Sequence, residues 1–258
     1  LTPRTPRFVD ELYLGELTGS TITTEGANLY PYSVATDADG GVVVGAMTTA
    51  IRFGPDFRIK EMPGMVLLEE GNYMSAMTVA ATPAGTVVTR PSMGRELYRY
   101  TPGAAEPERL RNPLTGQGSM TALPDGSVVV VDYAARRAAR IRGRQVFPLD
   151  IFAQEYSYVP GLAAGPEGNI WAFDTMERQV KIYSPEGDEL DSILPILPMD
   201  QAAGTKAMAV GTKGDFLLLT AGGLWRFDRT GRPIWRMETL DDRAASASVR
   251  RSSMGAPS

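Results

Sequence analysis

Asp37, Asp132, Asn169 and Asp174 are candidates for holding a hard cation through oxygen. What surrounds them is defined by two absences. The 258 residues include no histidine and no cysteine. Without histidine, no Ser-His-Asp or Cys-His arrangement can form within the chain, and the commonest general base and transition-metal ligand is lost. Without cysteine there are no disulfides, thiolate nucleophiles or Cys-based zinc sites. The chemistry left is that of carboxylates, Lys, Tyr, and Ca²⁺ or Mg²⁺ held through oxygen. Asp37 and Asn169 flank turns, whereas Asp132 and Asp174 close β-runs, so the two pairs belong on opposite faces. No convergent set is expected, and no catalytic residue, metal or cofactor is assigned.

Asp132 and Asp174 also have a plainer role. A basic residue follows each, Arg140 eight positions on and Lys181 seven. A hairpin would bring each acid to its base, so the expected roles are Asp132–Arg140 and Asp174–Lys181 bridges, or an Asp capping the loop.

The elements that must position these residues are legible from a repeat. Gly40, Gly85, Gly126, Gly168 and Gly214 are spaced 45, 41, 42 and 46 residues apart. Six residues before each stands an apolar side chain: Val34, Val79, Met120, Leu162 and Met208. The next position is small: Ala35, Ala80, Thr121, Ala163 and Ala209. Two residues after each glycine an apolar run begins, at Val42, Val87, Val128, Ile170 and Phe216. Such a period marks a radially repeated β-protein. Each copy reads as four strands: one small-residue strand at the hub, a glycine turn, an apolar strand covered on both faces, a third strand, and a polar closing strand.

The string Leu162-Ala-Ala-Gly-Pro-Glu-Gly-Asn-Ile-Trp-Ala-Phe-Asp174, followed by Val180-Lys-Ile-Tyr-Ser-Pro-Glu-Gly187, resembles the NHL repeat. So does Pro124-Asp-Gly-Ser-Val-Val-Val-Val-Asp132 with Arg140-Ile141. The likeness covers roughly residues 31–240 and is strongest in the third and fourth copies. The Asp that closes the second strand is replaced in three copies, by Ala46, Pro91 and Thr220. The resemblance implies a β-propeller, usually six-bladed, that usually binds proteins, RNA or ligands. A minority of related propellers are enzymes, among them sugar-lactone hydrolases with an oxygen-ligated metal on the central axis.

The expected fold is therefore all-β: a β-propeller of four-stranded blades, five of them readable, plus an incomplete or composite sixth. The blades are placed at about 31–70, 75–114, 118–155, 160–200 and 206–240. Residues 1–30 carry two further strands that would complete the last blade, and 241–258 form a polar tail or linker. The chain begins at Leu, which reads as a processed or trimmed product. An extracytoplasmic setting, periplasmic or secreted, is favoured over the cytoplasm. No apolar run is long enough for a membrane helix.

Net charge is −4, which argues against a dedicated nucleic-acid binder. The loops after the second strands, with the blade connections, share one face. That face gathers Tyr73, Arg90, Arg95, Tyr133, Arg136, Arg137, Tyr156, Tyr158 and Glu177. Tyr and Arg are enriched at interface hot spots. The expected function is a non-enzymatic scaffold that recognises a protein or peptide through this face. A propeller hydrolase or lyase with an oxygen-ligated metal is the alternative, and a structural subunit of a larger assembly is a second.

Overall fold

The computed structural model describes residues 31–36, 41–46, 50–54, 58–61, 76–82, 85–91, 96–104, 106–111, 114, 118–133, 135–151 and 159–237. Among them the chain folds into five four-stranded antiparallel sheets, each made of consecutive strands. The first holds β1 (Pro31–Thr36), β2 (Val42–Ala46), β3 (Ala50–Phe53) and β4 (Ile59–Glu61). The second holds β5 (Ala76–Ala81), β6 (Val87–Pro91), β7 (Glu96–Tyr100) and β8 (Glu108–Arg111). The third holds β9 (Met120–Ala122), β10 (Val128–Asp132), β11 (Arg137–Arg142) and β12 (Gln145–Leu149). The fourth holds β13 (Gly161–Ala164), β14 (Ile170–Asp174), β15 (Gln179–Tyr183) and β16 (Glu189–Ile193). One helical turn, α1 (Met199–Ala203), leads to the fifth: β17 (Ala207–Val210), β18 (Phe216–Thr220), β19 (Gly223–Phe227) and β20 (Pro233–Met237). This is the expected propeller of four-stranded blades. The sixth blade, the 1–30 strands and the 241–258 tail lie outside the described residues.

The repeat glycines set the first hairpin. Gly85, Gly126, Gly168 and Gly214 have φ of 78°, 82°, 81° and 75°, where a side chain costs about 1–2 kcal/mol. Each donates its N–H to the carbonyl three residues back: Thr82, Leu123, Gly165 and Gly211. Of the strands that follow, β10 and β14 are buried at every residue, while β18 exposes Leu219.

Alternate side chains of each sheet therefore face different neighbours. Four of the five apolar cores straddle two successive blades, and the fifth, Val44 with Ile51 and Phe53, lies within the first. Val43 and Ala50 pack with Val79 and Val87. Val88 and Leu97 pack with Met120, Val128 and Val130. Val129 and Val131 pack with Leu162, Ile170 and Ala172. Trp171, Phe173 and Val180 pack with Met208, Phe216 and Phe227. Val34 occupies the column of Val79, Met120, Leu162 and Met208, yet it is 67% exposed where they are buried. Its column packs on the preceding blade, and residues 1–30 lie outside the described ones. The strands β1, β5, β9, β13 and β17 neighbour one another in that order and form the hub.

A basic residue sits at one register in four of the five third strands: Arg52 opposite Val43, Arg99 opposite Val88, Arg140 opposite Val129 and Arg226 opposite Leu217; in the fourth blade that place is Ile182, opposite Trp171, and Lys181 stands one residue earlier. Arg140 is the best engaged. Its Nη2 pairs with Asp125 Oδ2 at 2.7 Å and its Nε donates to Ser127 Oγ at 2.9 Å. Its Nη1 crosses to the fourth blade, donating to the Pro185 carbonyl and to Glu186, both at 3.1 Å. Arg226 holds Asp215 of its own turn at 2.6 Å, and Arg52 crosses to the Gly85 carbonyl at 3.4 Å.

Burial acts against the Asp125 charge, but hydrogen bonds from Ser127 and Arg140 outweigh it and hold the pKa at about 2, against 3.8 ordinarily. A carboxyl whose pKa is depressed on folding adds stability above its unfolded value and loses it as pH falls through the folded one. Stability should therefore decline between pH 3.8 and about 2. Asp125→Asn should flatten that stretch in acid titrations followed by circular dichroism, and a profile of unchanged slope would show that Asp125 contributes nothing to it.

Candidate functional site

The end of each second strand meets the start of the neighbouring hub strand on one face. In the third and fourth blades that strand ends in an aspartate, and both aspartates cap the loop that follows. Asp132 Oδ1 accepts from Ala135 N at 2.9 Å. Asp174 Oδ1 accepts from Met176 N at 2.8 Å and Glu177 N at 3.1 Å. Both carboxylates are buried. The expected bridges do not form. Arg140 lies opposite Val129, toward the other end of the hairpin, and is engaged by Asp125 there. Lys181 turns from Asp174 to Glu177 at 2.7 Å and Glu189 at 3.7 Å. Burial disfavours its charge, yet Glu177, Glu189 and Asp174 together raise its pKa above the ordinary lysine value. Tyr183 beside them is pushed well above the usual phenol range by burial and by the same carboxylates, and it donates to the Ile151 carbonyl at 3.2 Å.

Nearer the hub a polar chain crosses three blades. Arg90, expected in a loop, stands in β6 and is 4% exposed. It donates to the Val131 carbonyl at 2.6 Å and the Leu114 carbonyl at 3.3 Å. Burial lowers its pKa, and the nearby Asp132 and Tyr133 oppose that shift. Tyr133 is half-buried, and its hydroxyl bonds with Ser119 Oγ. Ser119 Oγ in turn donates to the Pro160 carbonyl of the fourth blade at 2.8 Å. Gly118 permits this approach, because a Cβ there would collide with the Val131 carbonyl oxygen. The sequence signals Arg90 and Tyr133 by type. Ser119 and Gly118 carry no such signal, since only the fold shows a hub strand starting there.

The other expected residues divide. Arg136 and Arg137 are exposed in the loop that Asp132 caps, and Glu177 lies in the loop that Asp174 caps. Tyr73, Arg95, Tyr156 and Tyr158 lie outside the described residues, as does Asp37. Asn169 lies just before β14 and Asp174 at its end, about 16 Å apart along an extended strand. Asn169 Oδ1 is buried without a hydrogen-bond partner. No group of three or more acidic side chains able to hold a metal gathers among the described residues. Those residues therefore do not fit an oxygen-ligated metal. No described helix is long and apolar enough to cross a membrane.

No family model matches the chain, and no curated protein matches it. Solved structures do. A virginiamycin B lyase from Staphylococcus aureus is 15% identical with a TM-score of 0.62, over 85% of this chain and 73% of that one. A gluconolactonase from Xanthomonas campestris is 14% identical with a TM-score of 0.58, over 82% and 77%. A catalytically inactive His-to-Ala variant of the staphylococcal lyase, solved with quinupristin, is 12% identical with a TM-score of 0.56, over 85% and 87%. At these identities the likeness is one of fold. It nevertheless corrects the expectation of a non-enzymatic scaffold for a protein or peptide. That reading rested on the NHL resemblance and on the Tyr- and Arg-bearing loop face, whereas the structures named here are of a lyase and a gluconolactonase.

Arg90→Met should remove the buried cation and its bonds to the Val131 and Leu114 carbonyls. The expected cost is about 3 kcal/mol, read by urea denaturation. A loss below about 0.5 kcal/mol would mean the chain of bonds is not holding the three blades.

Proposed function

We propose that this propeller is an enzyme of the hydrolase class that opens cyclic esters, sugar lactones first among them, at the face where the second strands end. The observation that carries this reading is the missing histidine in a fold shared with both enzyme types. In the staphylococcal lyase a His-to-Ala variant is catalytically inactive. A chain with no histidine has no counterpart for that group, which favours the gluconolactonase side of the comparison. Hydrolysis of a lactone needs water added at the carbonyl, the ring C–O bond broken, and the oxyanion steadied meanwhile. Carboxylates, tyrosine and arginine suffice for those steps.

Tyr133 and Ser119 present hydroxyls beside the hub opening, with the Arg90 cation behind them. Ser119 already donates to the Pro160 carbonyl, so in this reading a ligand oxygen arriving between the second, third and fourth blades takes the Tyr133 hydroxyl proton in exchange for its bond with Ser119. The NHL-like columns of those blades mark the architecture in this reading, and the loops carry the chemistry.

The test offers purified protein δ-gluconolactone and, separately, a streptogramin B, following acid release and product mass, with and without EDTA. Lactone turnover above the spontaneous rate and an intact streptogramin are expected. Tyr133→Phe should lower kcat/KM about 10-fold, the worth of one hydrogen bond, with the fold retained by circular dichroism. Cleavage of the streptogramin, or no turnover of any lactone, overturns the proposal.

A further inference from the structure

The unbroken apolar run Ile193-Leu-Pro-Ile-Leu-Pro-Met199 leaves β16, the outermost strand of the fourth blade. It alternates. Ile193 and Pro195 are buried and Leu197 half-buried, while Leu194, Ile196 and Pro198 are exposed. Leu194, Ile196 and Met199 are 60%, 63% and 69% exposed, and Leu190 ahead of them is 58% exposed. The inward residues serve the core that the fourth and fifth blades share, which includes Ile193 and takes Leu197 against it. The outward ones do not. In the second and third blades the place of Leu194 is held by Arg111 and Asp150, exposed residues that follow the buried Leu110 and Leu149 as Leu194 follows Ile193. The equivalence extends to the next blade's turn: Gly187 lies against Leu149 and Asp150, and Gly231 lies against Ile193 and Leu194. A charged side chain serves at that place twice, so the fold does not require leucine there. An exposed apolar seam that folding does not require marks an interaction site.

Backbone and charge limit what can cover it. Leu190 is the extra residue of a bulge, since Ile182 pairs with Asp191 and Tyr183 with Glu189. Pro195 and Pro198 have no N–H, and the Ile196 N–H is spent on the Gly231 carbonyl at 2.8 Å. This edge is therefore closed to an added strand, and contact must run through side chains. Residues 182–205 carry Glu186, Asp188, Glu189, Asp191 and Asp200 and no lysine or arginine, which counts against a membrane surface. The two borders of the seam differ in sign. Asp191, exposed, stands three residues before Leu194 on the fourth-blade side. On the fifth-blade side the turn that touches Leu194 carries Arg229 and Arg232, both exposed. Asp228 of that turn accepts from the Thr230 and Arg232 N–H groups, and two arginines to one aspartate leave this border cationic.

We propose that this seam is the interface of a two-fold dimer of the chain. In an isologous contact each patch meets a reversed copy of itself. Leu194 and Ile196 of one copy then cover those of the other, and Asp191 of each lies against the partner's Arg229 and Arg232. The apolar centre supplies the affinity, and the charges at the border set the register and exclude the parallel arrangement, in which like charges would meet. The proposal goes beyond the hydrolase reading and does not rest on it.

The experiment is sedimentation velocity of the full chain over a range of concentrations, in which the mass should climb from one chain toward two. Leu194→Glu/Ile196→Glu should raise the dimer Kd at least about 10-fold, with circular dichroism unchanged because both side chains lie outside the core. Asp191→Lys and Arg232→Glu should each weaken the dimer. Combined in one chain they should restore it, because the reversed charges meet again across the two-fold axis. A monomer at every concentration, a dimer that Leu194→Glu/Ile196→Glu leaves intact, or no recovery in the combined variant overturns the proposal. Flotation of the chain with vesicles of phosphatidylcholine and phosphatidylserine, lost in Leu194→Glu/Ile196→Glu, would assign the seam to lipid and overturn it as well.

Discussion

No single blade of this protein can bury its own apolar surface. A four-stranded antiparallel sheet with apolar residues on both faces needs a sheet on each side. Phe173, Phe216 and Phe227 lie fully covered only because the fourth and fifth blades share one core. Burying such a side chain contributes about 1.5–3 kcal/mol, so the pairings are cooperative and fix the order of the blades. That order lets the ends of β6, β10 and β14 converge with the hub strands on one face. The polar chain from Arg90 to Pro160 exists only because the packing brings three blades together.

The charged groups act at the edges of this packing. The basic column of the third strands shows how one sequence position can serve different ends. Arg226 stays within its own blade on Asp215, while Arg140 extends to Pro185 and Glu186 of the next. Arg140 is largely buried and its acceptors are partly exposed, so its bonds are charge-assisted without two charges being fully desolvated. Arg90 is the costlier case: burial depresses its pKa, and two backbone carbonyls with a nearby carboxylate compensate.

The repeat was legible because it is imposed by backbone geometry and packing. The turn glycines, the small hub column and the apolar second strands each answer a local requirement that recurs blade after blade. Asp132 and Asp174 were legible as strand ends, and capping was one of the roles expected of them. Their bridges to Arg140 and Lys181 were not formed, because register decides which end of a hairpin a long side chain reaches. Sequence separation carries no such information. Arg90 looked like a loop residue for a related reason: β6 runs through it to Pro91, and only the neighbouring blade supplies the carbonyls that bury it. Ser119 was invisible because its significance comes from Tyr133 and Pro160, distant in sequence and contributed by different elements.

A blade pattern says little about chemistry for the same reason that it says much about architecture. The residues that repeat are those that every blade needs. A site needs residues that differ, because one ligand is asymmetric and the ring is not. The two Asp-capped loops show both kinds side by side. They share length, cap and a left-handed arginine, yet Tyr133 and Arg137 in one face Thr175 and Gln179 in the other. The shared cap is explained by the hairpin. The shared arginine is not, since glycine serves at every other left-handed position among the described residues. A feature that repeats against the local preference of the backbone is not one the hairpin requires, and here it falls on the face where the polar chain of three blades also ends.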